Sequence, residues 1–292
     1  MGLRSNQSQR QRRLGHELRK LREAAGLTTA EAGRRVGLGQ AHVSHIEAGR
    51  TACAEPRLRE LAAVYGCVNE PLIDGLVAMT NATGKGWWTA YRDLLDDRAR
   101  DLAELEHTTT AFRTFEWLYV PGLLQTPEYM RKLYANGVQD PDPGAIDKYV
   151  DFRLHRQEAL VADPQPTCHA VIHEAAFHMQ FVDRKTMRDQ LAYLVELSQA
   201  PNITIQLLPF KAESHPVTAG SPFTIHDAGA RELRTVHVEH PISQVFLHDE
   251  EQVDRFEADF QRLSIVSLEP VEPSQQHREN SYALVQHLRY IL

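Results

Sequence analysis

The sequence has little of what marks membrane, secreted and disulfide-rich proteins. No apolar run approaches the ~18 residues of a membrane-spanning helix. The basic N-terminal residues contain no apolar stretch of the kind that a secretory signal needs. The three cysteines, Cys53, Cys67 and Cys168, form no C-x-x-C pair and cannot all be paired with one another. We therefore expect a reduced, cytoplasmic protein without a membrane partner.

Catalytic and metal-binding signatures are also missing. Gly84-Lys85-Gly86 lacks the preceding glycine spacing and the following Ser or Thr of a P-loop, and no G-x-S-x-G occurs. His173-Glu174 and His178 differ from the zinc motif H-E-x-x-H, because histidines five residues apart point about 140° apart on a helix. Cys168-His169 adds candidate ligands, but such residues are more often packed or exposed than metal-bound. We predict no enzymatic activity, no metal ion and no cofactor.

Positive charge is concentrated in the first 50 residues. They contain ten Lys and Arg against four Glu, a net charge of +6, whereas the whole chain carries −7 and the remaining residues therefore carry −13. A basic segment joined to an acidic body is typical of a protein whose basic segment meets a polyanion. A solvated charged surface has the same pattern, so charge by itself leaves both interpretations open.

Five short helices are predicted for residues 1–80. Apolar residues recur at helical spacing from 12 to 25, and Gly or Pro residues then separate four shorter segments. These segments lie at about 28–36, 40–48, 56–65 and 71–77. The polar, glycine-bearing stretch 81–86 is predicted to be a linker. We therefore predict a compact, mainly α domain over residues 1–80.

Residues 87–292 mix helical and strand patterns, which predicts an α+β domain. Helical periodicity covers 87–105, 145–161, 184–198, 250–263 and 281–292. Strand patterns cover 170–172, 203–207, 223–225, 235–238 and 244–247. The apolar loop 120–127 is of a kind that tucks into a core or lines a pocket. The aromatic residues between Trp87 and Tyr119 are predicted to be core rather than a ligand cage.

Residues 27–51 have the order helix, tight turn, helix. Ala32 and Gly33 are small enough for a second helix to cross closely, and Gly37 supplies a turn free of β-branching. The outward positions of the second helix are Gln40, Ala41, Ser44 and His45. In a major groove such side chains read base edges, although solvated polar residues would show the same pattern.

The stretch V-S-H-I-E-A-G-R at 43–50 matches the pattern S-x-I-E-x-G-[KR]. Through it, residues 10–80 resemble the XRE, or Cro/cI-like, family of helix-turn-helix repressors. The resemblance implies base reading by Gln40, Ala41, Ser44 and His45. It implies phosphate contacts by Thr29, Arg50 and Thr51.

The same resemblance implies structural roles inside the motif. Glu47 matches a position that usually bonds to neighbouring backbone or to an arginine. The chain departs from the family at Ala32, where leucine is usual, and at Gly33, where alanine is usual. The residues predicted to hold the motif together are Gly33, Gly37, Glu47 and Gly49.

Further phosphate contacts are predicted from charge. Arg34 and Arg35 flank the motif, and we expect the arginines before residue 14 to form a flexible arm. The arm comprises Arg4, Arg10, Arg12 and Arg13. Of these, Arg12 and Arg13 are assigned to phosphate binding.

Motifs recur along the rest of the chain: W-W-x-x-Y at 87–91, V-P-G-L-L-Q-T-P-E-Y at 120–129, R-x-x-R-Q at 153–157, H-E-A-A-F at 173–177, Q-L-x-x-L at 190–194 and P-N-I-T-I-Q-L-L-P-F at 201–210. They resemble the C-terminal domain of uncharacterised function that accompanies XRE regulators in actinomycetes. Members of that family commonly lie beside a gene for a small partner protein.

We therefore expect a transcriptional regulator that binds double-stranded DNA and is nucleoid-associated when bound. One helix-turn-helix reads only about four or five base pairs, so a homodimer on a near-palindromic operator is expected. DNA binding is assigned to residues 1–80. Dimerisation and modulation, by a small molecule or a small protein encoded by the adjacent gene, are assigned to 87–292. The alternative is an antitoxin-like or partner-capturing protein that autoregulates its own operon.

Overall fold

A computed structural model describes residues 7–82, 85–137, 142–213, 220–239, 244–274 and 280–292. The chain divides into two compact units. The first contains the described residues up to Thr108 together with Ala228–Leu233, and the second contains Thr109–Asp227 and Arg234–Leu292. No helix of the described residues combines the length and the apolar character needed to cross a membrane.

Five α-helices in residues 9–81 confirm the predicted mainly α start of the chain. They are α1 (Gln9–Ala24), α2 (Thr29–Arg35), α3 (Gln40–Glu47), α4 (Glu55–Val64) and α5 (Glu70–Asn81). Capping boxes begin α1 and α2, because Ser8 and Thr28 each exchange hydrogen bonds with the residue three positions later. A proline in the first turn begins α4 and α5.

The first unit extends past the predicted linker. A 3-10 helix (Trp87–Tyr91) and α6 (Asp97–His107) replace the single helix predicted for 87–105. The segment Ala228–Leu233 adds Leu233 to the unit's core, where a Cβ on Gly75 would lie 2.3 Å from the Leu233 Cδ1 atom. The compact units thus divide the chain after Thr108, although autonomous folding of residues 1–80 stays a prediction.

The second unit is built on a mixed sheet of six strands, which confirms the predicted α+β class. The strands are β1 (Ala111–Glu116), β2 (Thr167–His173), β3 (Ile203–Leu208), β4 (Phe223–Asp227), β5 (Thr235–Glu239) and β6 (Gln244–Leu247). Their order is β3-β2-β1-β4-β5-β6. The first three are parallel, and β4, β5 and β6 each run antiparallel to the preceding neighbour in the sheet.

Helices cover both faces of this sheet. They are α7 (Pro127–Gly137), α8 (Pro143–Gln157), α9 (Arg184–Leu197), α10 (Glu250–Val266) and α11 (Ser281–Ile291). On one face α9 and α11 contribute Leu191 and Val285 to the core, and on the other α10 contributes Phe260. The sequence patterns did not predict α7.

The central strand β1 was also not predicted. A strand covered on both faces usually reads as a continuous apolar run, whereas β1 carries Arg113, Thr114 and Glu116. The structure accommodates Arg113 through ion pairs to Asp227 at 2.8 Å and Glu257 at 3.0 Å. These polar residues interrupt the apolar pattern, so that the sequence alone does not indicate a buried strand.

Candidate nucleic-acid interface

The turn between α2 and α3 depends on two glycines. Gly37 has a φ of 67°, a left-handed conformation that glycine adopts at little cost. A Cβ on Gly33 would lie 2.5 Å from the backbone oxygen of Leu38, so α2 approaches the turn as closely as a glycine allows. Val43 and Ile46 on α3 are buried against the rest of the unit. The opposite face of α3 is therefore left open.

The predicted base-reading residues share this open face. Gln40, Ala41 and Ser44 are exposed, and His45 is half-buried. Gln40 is the first residue of α3, and no side chain caps the helix there. His42, which the sequence analysis did not select, is also exposed. It lies about 100° around the helix from Ala41, at the edge of the face.

The chain leaves α3 through a glycine in the left-handed region. Gly49 has a φ of 68°, and a Cβ there would lie 2.8 Å from the backbone oxygen of Gln11. The Gly49 N–H donates to the Ile46 carbonyl and the Arg50 N–H donates to the His45 carbonyl, each at 2.9 Å. This turn holds Arg50 exposed beside the end of α3, with Thr51 half-buried next to it.

An ion pair fastens α3 to α1. Arg22 donates to Glu47 through Nε at 2.6 Å and Nη2 at 2.9 Å, and its Nη1 donates to the Leu27 carbonyl at 2.7 Å. Both side chains are less than a tenth exposed. The hydrogen bond to Glu47 raises the pKa of Arg22. A structural role for Arg22 was not predicted from the sequence. Its spacing of four residues from the buried Leu18 nevertheless indicates the core face of α1.

The flexible-arm prediction is wrong for three of its four arginines. Arg10, Arg12 and Arg13 all lie within α1, and Arg4 lies outside the described residues. Arg13 is 1% exposed and pairs with Glu17 at 3.2 Å. A phosphate contact by Arg13 does not agree with this burial, which follows from its place on the core face of α1.

The other two arginines of the predicted arm, Arg10 and Arg12, form ion pairs with acidic residues of α6. Arg10 pairs with Glu104 at 2.8 Å, and Arg12 pairs with Asp101 at 3.3 Å. Arg12 remains about half exposed, whereas Arg10 is buried to nine-tenths. Burial raises the pKa of Asp101 to about 6, although the Gln9 N–H and Arg12 favour the charged form. The partners lie about 90 residues apart in the chain, so this pairing leaves no sign in the local pattern of residues.

Uncompensated positive charge is confined to the motif. Among residues 7–82, eight lysines and arginines take part in ion pairs with Asp or Glu: Arg10, Arg12, Arg13, Arg19, Lys20, Arg22, Arg57 and Arg59. In that range only Arg34, Arg35 and Arg50 are without one, and all three are exposed. Thr29, the first residue of α2, is half-buried. The described arginines that form no ion pair in this range thus lie at the end of α2 and directly after α3.

The other sequence candidates lie apart from this surface. His173 accepts a hydrogen bond from the Ala175 N–H, and His178 lies 3.5 Å from Glu174. Within the described ranges, no three His, Cys, Asp or Glu side chains are grouped so that they could hold a metal ion. The three cysteines are free, and burial raises the pKa of the Cys53 thiol to about 11.

Two family comparisons agree with this architecture. Residues 13–74 match the family described as Helix-turn-helix domain. Residues 99–275, more than half of the chain, match the family described as Domain of unknown function (DUF5753). The chain belongs to the DUF5753 family. The prediction of a helix-turn-helix domain followed by a C-terminal domain of uncharacterised function is thereby confirmed.

The helix-turn-helix domain points to a DNA-binding regulator rather than an enzyme. No curated protein and no solved structure matches this DUF5753 protein. Its assignment to the XRE family, its actinomycete type and the individual DNA contacts stay predictions.

Proposed function

We propose that this protein is a sequence-specific transcriptional regulator that binds a near-palindromic operator as a homodimer. The observation that carries the proposal is the exposed face of α3 together with three exposed arginines that form no ion pair within the described residues, two at the end of α2 and one directly after α3. An α-helix presented in this way fits the major groove, where side chains distinguish base pairs.

The contacts divide by chemistry. Base edges are read by Gln40, Ala41, Ser44 and His45. Backbone phosphates are bound by Thr29, Arg34, Arg35, Arg50 and Thr51. Arg12 is proposed as a peripheral phosphate contact because it remains about half exposed. Arg13 is not proposed as a phosphate contact because it is buried. Phosphate contacts fix the register on the duplex, and only the base contacts carry sequence information.

The rest of the chain is proposed to hold the dimer and to modulate it. One motif covers too few base pairs to define a genomic site, so two copies about one helical turn apart are needed. We assign dimerisation to residues 87–292, together with a response to a small molecule or a small protein partner. The net negative charge beyond residue 50 argues against a second DNA surface there.

The salt dependence of binding tests the DNA interface. An operator is first selected with the full chain from a randomised duplex library. The triple variant Arg34→Ala, Arg35→Ala, Arg50→Ala should then reduce the log–log salt slope by ~0.9 for each phosphate that it no longer neutralises. The matched control is Arg19→Ala, Arg57→Ala, Arg59→Ala, which removes paired arginines. Equal slopes for the two triple variants would contradict the proposal.

Half-site spacing tests the dimer. Full-length protein should bind a selected duplex with two half-sites far more tightly than a duplex with one. Moving one half-site by about 5 base pairs, half a helical turn, should remove this gain because the two motifs then face opposite sides of the DNA. Sedimentation of the chain on each duplex gives the stoichiometry, and one chain per duplex would exclude the homodimer.

A further inference from the structure

A cavity of about 310 Å³ opens in the second unit at the end of β1. Its polar lining comprises Glu116, Tyr119, Gln125, Tyr134, Arg153 and Glu239. Cavities of roughly 300 to 1,000 Å³ with a few fixed polar groups are typical of small-molecule sites. The apolar loop that follows β1 forms one wall, which is one of the two roles expected for such a loop.

Glu116 is the group in this cavity that lacks a partner. It is the last residue of β1 and is 8% exposed, and its buried Oε2 atom has no hydrogen bond within the part of the chain that the structure describes. Burial and the nearby Glu239 raise the pKa of Glu116, and Arg153 offsets part of this effect. A buried polar atom without a partner is costly, so a ligand that donates a hydrogen bond to Glu116 Oε2 relieves part of that cost.

Arg153 is held by neutral groups instead of by Glu116. Its Nε donates to the Tyr134 hydroxyl at 2.9 Å, its Nη1 donates to Gln125 Oε1 at 3.1 Å, and its guanidinium lies over the Tyr134 ring. Gln125 is itself fixed, because its Nε2 donates to the Val120 carbonyl at 2.7 Å. These contacts fix the position of the Arg153 guanidinium through neutral side chains rather than through an ion pair with a carboxylate.

The lining carries two carboxyl groups against this one guanidinium. An ammonium group placed beside Glu116 would give its Oε2 atom a donor and would favour the ionised carboxylate, which burial and Glu239 disfavour. Tyr119, which is about two-fifths exposed, offers an aromatic surface for the body of such a ligand. We propose that this cavity binds a small organic amine with an aromatic or apolar body, its ammonium group on Glu116. That this amine is also the effector of DNA binding rests on the proposed function, whereas its binding in the cavity does not.

Calorimetry on the full chain tests the site without DNA. The probes are tyramine, tryptamine and histamine, with two controls that keep the tyramine body: neutral 4-ethylphenol and anionic 3-(4-hydroxyphenyl)propionate. At least one amine should bind at a single site, at least tenfold more tightly than the controls, as expected for a hydrogen bond to a charged group.

Glu116→Gln keeps the shape of the side chain and should weaken amine binding about tenfold or more. The matched control is Glu174→Gln, a partly buried glutamate of the same unit that does not line the cavity. Thermal unfolding of both variants checks that they fold. If Glu116→Gln fails to fold, the comparison of tyramine with 4-ethylphenol on the unaltered chain decides.

Three results would overturn the inference. They are no heat from any of the three amines at ~1 mM, equal binding of 4-ethylphenol and tyramine, and amine binding that survives Glu116→Gln. Operator binding, measured separately on the same samples, reports on the proposed function. If the protein binds DNA but no amine, the inference about the cavity is refuted and the proposed function stands. If it binds the amine but no DNA, the inference stands and the proposed function is refuted.

Discussion

Arg22 and Glu47 join α1 to the last turn of α3 through two hydrogen bonds of 2.6 and 2.9 Å. Glu47 ends the helix that carries the predicted base-reading residues, and Arg22 lies about two turns beyond Gly15, where the α1 backbone lies close to the end of α3. A Cβ on Gly15 would lie 2.3 Å from the Glu47 carbonyl oxygen. The ion pair and this close approach together fix the orientation of α3 against α1.

Breaking the pair should destabilise the first unit strongly. Glu47→Ala leaves Arg22 charged, buried and without its carboxylate, for which we expect a loss of about 3 kcal/mol in the free energy of unfolding. The double variant Arg22→Met, Glu47→Leu should recover most of that loss, since an apolar pair needs no desolvation of charge. Urea denaturation measures both. Arg19→Ala, which breaks an exposed pair, is the control and should cost less than about 1 kcal/mol.

Gly33→Ala should destabilise the protein, against the sign of helix propensity. Alanine is the better helix former by about 1 kcal/mol, but its Cβ would lie 2.5 Å from the Leu38 carbonyl oxygen. We expect a net loss of about 1 to 3 kcal/mol. Gly39→Ala is the control, because nothing lies within 4 Å of a Cβ there. A more stable Gly33→Ala protein in the same denaturation experiment would show that the turn relaxes.

Gln40→Ala should change the sequence preference of DNA binding, whereas Arg50→Ala should change only its affinity. Gln40 opens α3, where its amide can bond to both N6 and N7 of one adenine, so its loss should cost about 1 to 3 kcal/mol and relax one base position. Arg50→Ala should weaken binding to all sequences alike, because a phosphate contact carries no base information. Competition against a randomised operator library separates the two effects. An altered sequence preference for Arg50→Ala alone would show that α3 is oriented differently.

The docking of α6 on α1 should depend on pH through Asp101. Its pKa is about 6 in the folded protein and about 4 when unfolded, so its contribution to stability is full below about pH 4 and is lost as the pH rises through about 6. Asp101→Asn should flatten this dependence. Hydrogen exchange in α1 between pH values of about 4 and 7 is the measurement, with Asp93→Asn as an exposed control. Unchanged pH dependence in Asp101→Asn would assign the effect to other groups.

The five N-terminal helices could be predicted because glycine, proline and capping residues mark their ends and a periodic apolar face marks their interior. The roles of Arg10 and Arg13 could not, since their burial depends on partners contributed by α6 and by Glu232, whose carbonyl accepts from Arg13. From the local sequence alone, charged residues such as Arg10 and Arg13 are predicted to be exposed to solvent, because their partners lie far away in the chain.

The same limit applies to the second unit. The other five strands have apolar runs and were predicted, whereas β1 is interrupted by polar residues that have partners across the sheet. Glu116 reads as an ordinary acidic residue at a strand end. It becomes a candidate ligand-binding residue only when the sheet, the loop after β1 and Arg153 of α8 meet around one cavity.

The segment Ala228–Leu233 gives the first unit an unusual place in the order of protein synthesis. Leu233 belongs to the same core as Leu18 and Leu76, yet it is translated about 150 residues after the end of α5. The helices of residues 9–81 therefore leave the ribosome well before their core can be completed. A chain released between Thr108 and Ala228 would carry all of α3 on a core that lacks Leu233, so we expect such incomplete translation products to compete poorly for DNA.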